Sequence, residues 1–338
     1  MNKILALFQA QTPTKFIEGS IRYRGRDVRY IIALDLSRPE RFSFKGGLRF
    51  SASETRQSLA KAALRLTEKA KLFDIPFRGA KAAILIDPTS DIDLNELASL
   101  WTEAVKDYLG SGPDAFIPAP DFGVPTSVAT AIKDAYEKII RRPFPDVVTG
   151  KPLEAGGHPM RADATGLGAF FCMEMLREKL ALRPEAMTVG IAGMGKSTLP
   201  LIQRLLDAGY KIAGVSDSSA CVLDPSDVGA LLQLKRSGRK LSGPPADLLL
   251  SQPMTVLVLG AIADHVNQRN VNRVQATYIL EIANNAVSAP FRNLIPSIVA
   301  SSGGLLGSYY ELAHKSSDEF KIDLERKMRS AFETLRFG

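Results

Sequence analysis

The sequence predicts an α/β protein built as two domains. Three observations carry that expectation. Short apolar runs suited to strands alternate with amphipathic segments suited to helices along most of the chain. A strand–turn–helix–strand unit with a glycine-rich turn, "MTVGIAGMGKSTLPLIQRLLDAGYKIAGVSD", fills residues 187–217. The length, 338 residues, is about twice a common domain size of ~150.

The elements follow in order. "VRYIIALDLS" (28–37) is a strand by its β-branched and aromatic run. "SASETRQSLAKAALRLTEKAKLF" (51–73) repeats Leu59, Ala62, Ala63, Leu66 and Ala70 at helical spacing. "KAAILIDP" is a short apolar strand closed by proline, and "LNELASLWTEAVKDYLG" is an amphipathic helix ended by Gly110. "SGPDAFIPAPDFGVP" is a proline-rich loop around a short strand, and "TSVATAIKDAYEKII" is a helix behind a hydroxyl cap. "RRPFPDVVTGKPLEAGGHP" is an irregular connector and the best domain boundary. "DATGLGAFFCMEMLREKL" is a helix leading from it. After the glycine-rich unit the rhythm continues through "DVGALLQLKRSG", "TVLVLGAIADHV", "ATYILEIANN" and "FRNLIPSIVASSGG", and ends in the charged helix "SDEFKIDLERKMRSAFETLRFG".

Composition narrows the function. Two cysteines and three histidines offer no zinc spacing and no disulfide framework, so we expect no metal and a reducing cytoplasm. The opening "MNKILALFQAQTPTKF" lacks the apolar core and cleavage site of a signal peptide, and no apolar run is long enough to span a bilayer. The net charge of +7 comes from scattered lysines and arginines without interleaved aromatics, so we expect neither a nucleic-acid nor a membrane partner.

The glycine-rich turn matches two phosphate-binding patterns. From Gly190 it reads G-x-x-x-x-G-K-S, a nucleoside-triphosphate loop with Lys196 on phosphate and Ser197 on magnesium. From Gly193 it reads G-x-G-x-x-G with Thr198 in place of the third glycine, a dinucleotide fingerprint. The second reading fits the context. Gly190 falls inside the strand, Gly193 makes the turn, and Asp217 closes the next strand 22 residues after Gly195, where an acid meets a ribose hydroxyl. The turn therefore points to a nicotinamide cofactor, NAD or NADP, with Lys196 at a helix N-terminus that already favours anions.

The flanking segments carry more. "FKGGLRF", "PFRGAKAAI", "PAPDFGV" with "IKDAY" behind it, "VVTGKPLEAGG", "RADATGLG", "GIAGMGKST", "VSDSS", "EIAN" and "SGGLLGSYYEL" occur in one order. With these motifs the chain, from about Phe42 to Leu312, resembles the glutamate/leucine/phenylalanine/valine dehydrogenase family. It comes nearest to the glutamate dehydrogenases. The resemblance implies an N-terminal α/β substrate and oligomerisation domain and a Rossmann-type dinucleotide domain, with a cleft between them. We expect residues 1–145 in the first, with the C-terminal helices 305–338 packing back on it, and residues 146–304 in the second.

It also implies roles. Lys81 falls on the catalytic lysine and Asp121 on the catalytic aspartate. Lys69 matches the lysine for the substrate α-carboxylate, Lys45 the lysine for a side-chain carboxylate, and Ser308 the serine that assists it. On the cofactor side the matched positions are Gly193, Gly195, Lys196, Ser197, Asp217, Thr165 and Asn284. The implied reaction is reversible oxidative deamination of an L-amino acid, glutamate or another acidic one, to a 2-oxo acid and ammonium, in a homo-oligomer. Lysines crowded into one cleft repel each other, which favours a neutral Lys81 as a base.

The sequence departs from the family pattern near the site. Arg78 stands where glycine is usual, Ala82 and Ala83 replace a glycine pair, Ser301 replaces an asparagine, and Ser297 an aspartate. Two readings compete. In one, Arg78 joins the substrate site of an active enzyme and pairs with a larger or doubly anionic substrate. In the other, a catalytically altered member binds a ligand or serves a regulatory role. Retention of Lys81, Asp121, Lys69 and Asp217 favours the first.

Overall fold

The computed structural model describes residues 13–89, 91–121 and 123–337. The chain forms two compact units. One contains the residues up to Pro159 together with Ser308–Lys315, and the other contains Met160–Gly307 and the residues from 316 onward.

The first unit is built on a five-stranded sheet. Its strands are β1 (Thr14–Tyr23), β2 (Arg26–Asp35), β3 (Ser43–Phe50), β4 (Phe77–Ile84) and β5 (Phe116–Pro120), in the spatial order β1-β2-β4-β3-β5. β1–β2 and β2–β4 are antiparallel, and β4–β3 and β3–β5 are parallel. Side chains alternate across a strand, so each face has its own core. On one face Phe44, Leu48 and Phe50 of β3 and Ala80, Ala82 and Ile84 of β4 meet Trp101 of α2 (Leu94–Val105) and Val128 and Ile132 of α3 (Ser127–Ile140). On the other, Ile31, Ala33 and Ala83 meet Leu59 and Ala63 of α1 (Arg56–Leu72).

α1 begins with a capping box in which Thr55 and Ser58 bond each other's backbone N–H groups. It lies very close to β4. A Cβ on Gly79 would stand 1.8 Å from the Ala63 carbonyl oxygen, and the Gly79 N–H donates to Thr67 Oγ1 at 2.8 Å.

The second unit holds six strands: β6 (Thr188–Ala192), β7 (Lys211–Ser216), β8 (Cys221–Leu223), β9 (Met254–Leu259), β10 (Ala276–Glu281) and β11 (Leu294–Ile295). Their order is β11-β10-β9-β6-β7-β8, all parallel except the β7–β8 pair. The chain leaves β6 in one direction and returns through β9 in the other. The carboxyl ends of β6 and β9 are therefore the topological switch point where such sheets bind ligands. Its helices are α4 (Ala164–Leu180), α5 (Thr198–Asp207), α6 (Val228–Arg236), the short α7 (Ser297–Ala300) and α9 (Ser317–Glu333), and α8 (Gly303–Leu312) belongs to it only as far as Gly307.

Two expectations change. The boundary falls at Pro159, because Lys151 is buried against Glu311 of α8 within the first unit. Of the C-terminal helices only Ser308–Lys315 joins that unit. α9 stays with the second, where Met328 lies over Gly168 of α4 and Arg329 pairs with Glu178. No helix among the described residues is long and apolar enough to cross a membrane.

Candidate active site

On the first unit the central feature is a lysine–aspartate pair. Lys81 lies on β4, and Asp121 follows directly after β5, its N–H bonded to the Leu48 carbonyl at 3.2 Å. Their ammonium and carboxylate are in direct contact. β3 runs between β4 and β5, with Gly47 opposite both Lys81 and Ala119. A Cβ on Gly47 would stand 3.0 Å from Lys81 Nζ and 2.9 Å from Asp121 Cγ. Glycine at this point lets the pair close over the strand.

Strand parity sorts the other candidates. Lys45, Gly47 and Arg49 share one face of β3, and Lys81 shares that face with Gly79 and Ala83 of β4. Lys45 is buried, and its ammonium donates to the carbonyl oxygens of Ile117 (3.1 Å) and Pro118 (3.3 Å), so the backbone of β5 fixes it. Lys69 is buried on α1, which covers this face. Ser308 is buried on α8, one residue before Tyr309, whose ring meets Phe77 edge-on at 6.0 Å.

Arg78 does not join them. It is an odd number of residues from Lys81 and so points to the other face. There its guanidinium lies 3.8 Å from the Phe44 ring centroid and donates to the Phe42 carbonyl (2.8 Å) and to Asp114 (2.9 Å). It is a buried brace for the loops that follow β2 and precede β5. The expectation that it meets substrate is corrected on that ground.

Two residues of the pair's surroundings were missed. Arg49 donates through Nε to Asp121 and through Nη1 to Glu54 at 2.7 Å. Burial alone would raise the Asp121 carboxyl. The charges of Lys81 and Arg49, with their hydrogen bonds, outweigh it and hold the group well below the usual carboxylate range.

On the second unit the glycine-rich turn lies at the switch point. Gly190 is inside β6, which excludes the triphosphate-loop register. Gly193 has φ 104°, and a Cβ there would meet Ala261 at 2.7 Å. Above Gly195 a Cβ would meet nothing within 4 Å, so the turn has open space beside a helix N-terminus, as a pyrophosphate requires. Thr198 replaces the third glycine by rebuilding the turn. Its hydroxyl donates to the Gly193 carbonyl (2.7 Å) and accepts the Gly195 N–H (2.8 Å). Lys196 is exposed and Ser197 half-buried at this end of α5. A Cβ on Gly166 of α4 would stand 3.0 Å from Pro200 and from the Ser197 carbonyl, so α4 packs closely on the start of α5, while the Thr165 hydroxyl of α4 faces Gly304, 2.8 Å from where a Cβ there would stand. Asn284 is exposed just beyond β10, where the Ala283 N–H is tied to the Leu259 carbonyl at the end of β9.

Asp217 sits beside the turn, since the preceding Ser216 carbonyl accepts the Gly193 N–H at 2.8 Å. Its carboxylate is spent internally, however. It accepts from Lys235 Nζ (2.6 Å) and the N–H groups of Leu241 (2.9 Å), Ser219 (2.8 Å) and Ala220 (3.3 Å). A carboxylate has about four lone-pair sites, so none is left over for a ribose hydroxyl. Burial opposes ionisation here, but these donors hold the carboxyl down to about 2. Ser301, at the family's asparagine position, donates its hydroxyl to the Ser297 carbonyl at 2.6 Å. Ser297 in turn bonds the buried carboxylate of Glu281 through N–H and Oγ, both at 2.7 Å.

Residues 156–336 match the model for glutamate/leucine/phenylalanine/valine dehydrogenase, and residues 38–138 match that for the Glu/Leu/Phe/Val dehydrogenase dimerisation domain. The NADP-specific glutamate dehydrogenase of Synechocystis sp. is 30% identical over 333 residues, covering 90% of this chain and 76% of the relative. The catabolic NAD-specific glutamate dehydrogenase RocG of Bacillus subtilis is 28% identical, covering 86% and 74%. The crystal structure of hetero-hexameric glutamate dehydrogenase from Thermus thermophilus superposes with a TM-score of 0.84 at 25% identity, covering 95% of this chain and 82% of that one. This chain belongs to the glutamate/leucine/phenylalanine/valine dehydrogenase family.

Proposed function

We propose that this chain is an NAD(P)-dependent amino-acid dehydrogenase that reversibly converts an acidic L-amino acid, glutamate above all, to its 2-oxo acid and ammonium. The contact between Lys81 and Asp121 over Gly47 carries the reading. When bound, the nicotinamide supplies the acceptor for the Cα hydride. The turn of Gly193, Gly195, Lys196 and Ser197 would hold the pyrophosphate, with Thr165 and Asn284 beside it.

The chain's own groups do the rest. Lys69 and Lys45 would hold the two substrate carboxylates, with Ser308 assisting, and so aim Cα. Lys45 suits that work because its ammonium is fixed on backbone carbonyls rather than swinging on a free stem. Asp121, kept ionised by its neighbours, would take a proton from the substrate nitrogen. As hydride leaves Cα, the C–N bond becomes an iminium. Water then adds to that carbon, losing a proton to the Lys81–Asp121 pair, which returns it to the nitrogen; the C–N bond breaks with its electrons on nitrogen, ammonia leaves, and the new hydroxyl gives its proton to the pair as it becomes the 2-oxo carbonyl. The pair can pass protons between its members because they touch. The Thermus thermophilus relative is hetero-hexameric, and for this chain the reading extends to a homo-oligomer working in the cytoplasm.

The test is reduced-nicotinamide absorbance with purified protein, each cofactor, a panel of L-amino acids, and 2-oxo acids with ammonium. Turnover with glutamate or another acidic amino acid supports the proposal. Silence across the panel with dinucleotide bound would contradict it.

A further inference from the structure

Asp121 does not stand on Lys81 alone. Arg49 divides its guanidinium between two carboxylates, with Nε on Asp121 and Nη1 on Glu54. Glu54 is itself held, its other oxygen accepting from Ser58 Oγ at 2.5 Å in the capping box of α1. The Glu54 side chain is only 11% exposed and the Asp121 side chain 20%, so neither is an ordinary surface carboxylate. A continuous path therefore runs from the first turn of α1 through Ser58, Glu54 and Arg49 to Asp121 and Lys81.

We propose that Arg49 and Glu54 are positioning residues for the proton-transfer pair: Arg49 fixes the Asp121 carboxylate against Lys81, and Glu54 limits how strongly Arg49 holds it. The inference rests on the reaction proposed above, but its geometry is independent of substrate. The physical reasoning is a balance of charges. Two cations, Lys81 and Arg49, face two carboxylates, Asp121 and Glu54, with Lys45 and Lys69 as further cations on the same face. Arginine's planar fork can serve two carboxylates at fixed angles, which a lysine cannot do. With both carboxylates present, Arg49 orients Asp121 without monopolising it. Without Glu54, the whole charge of Arg49 falls on Asp121 and makes it a weaker base. Without Arg49, Asp121 loses a permanent cation and takes up a proton at higher pH.

The two removals therefore push Asp121 in opposite directions, which a merely structural role would not do. The experiment compares Arg49→Gln, Glu54→Gln and Arg49→Lys with wild type in the full-length protein. Arg49→Gln should move the acid limb of kcat/KM to higher pH. Glu54→Gln should lower kcat by about threefold to tenfold, with KM unchanged and no acid limb gained. Arg49→Lys keeps the charge and should restore the acid limb while recovering only part of kcat. The same opposition should appear without substrate, in the carboxyl ¹³C titration of Asp121 assigned with Asp121→Asn. Shifts of like sign in Arg49→Gln and Glu54→Gln, or an Asp121 titration that neither variant moves, would overturn the inference. If wild-type protein turns over no amino acid, the reaction proposal fails, and the carbon titration still decides this one.

Discussion

Gly47 lies against both members of the Lys81–Asp121 pair, and the space for their contact is the side chain it lacks. A methyl group there would come within 3.0 Å of Lys81 Nζ and 2.9 Å of Asp121 Cγ. Gly47→Ala should therefore part or tilt the pair without disturbing the other unit. We expect kcat to fall by roughly tenfold to a hundredfold, since displacements near 1 Å have that effect on positioned groups. Dinucleotide affinity should be unchanged by fluorescence titration.

Thr198 and Gly260 fit together in a similar way. A Cβ on Gly260 would stand 2.2 Å from Thr198 Cγ2. Gly260→Ala should destabilise the second unit by about 1–3 kcal/mol, the usual cost of overpacking, and weaken dinucleotide binding. Adding Thr198→Ser removes the clashing methyl and keeps the hydroxyl that closes the turn. Thermal melts of the single and double variants should show that rescue.

The Lys151–Glu311 pair is the most deeply buried charge pair of the first unit among the described ion pairs, with side chains 1% and 2% exposed. Lys151 also donates to the Val148 carbonyl, and Glu311 accepts the Gly150 N–H, both within 2.8 Å. Lys151→Met leaves a buried carboxylate unpaired and should cost about 3–5 kcal/mol in urea unfolding. Lys151→Met with Glu311→Leu should recover much of that loss.

Asp217 and Lys235 bear on the cofactor. Lys235→Met leaves the Asp217 carboxylate uncompensated beside the glycine-rich turn. A negative charge there repels a ribose 2′-phosphate. NADPH affinity should fall by about tenfold in fluorescence titration, and NADH affinity should fall less.

Much of this was legible in the sequence, and the gaps have physical causes. Helices α1 to α6 and strands β6, β7, β9 and β10 follow directly from periodicity and turn residues. β3 escaped because "SFKGGLRF" carries two glycines and two cations, a poor strand by propensity, although burial decides the matter. Without β3, nothing marked Lys45, Gly47 and Arg49 as one face. The parity that excludes Arg78 from the site was available, since residues three apart on a strand point to opposite faces. Starting the strand at Lys81, in "KAAILIDP", left Arg78 outside it, whereas β4 runs from Phe77 to Ile84. The saturation of Asp217 depends on Lys235 and Leu241, brought to it only by folding. α9 was misassigned because its apolar stripe, Phe320, Leu324 and Met328, does not say which helix it covers.

On the reading proposed above, Lys81 does chemistry and does not hold the fold or the cofactor. The most direct measurement compares wild type with Lys81→Ala for turnover of an acidic L-amino acid and, in the same preparations, for dinucleotide affinity. Wild type should turn over, the variant should not, and both should bind dinucleotide with one dissociation constant. Equal turnover in the two proteins, or lost dinucleotide binding in the variant, would contradict it.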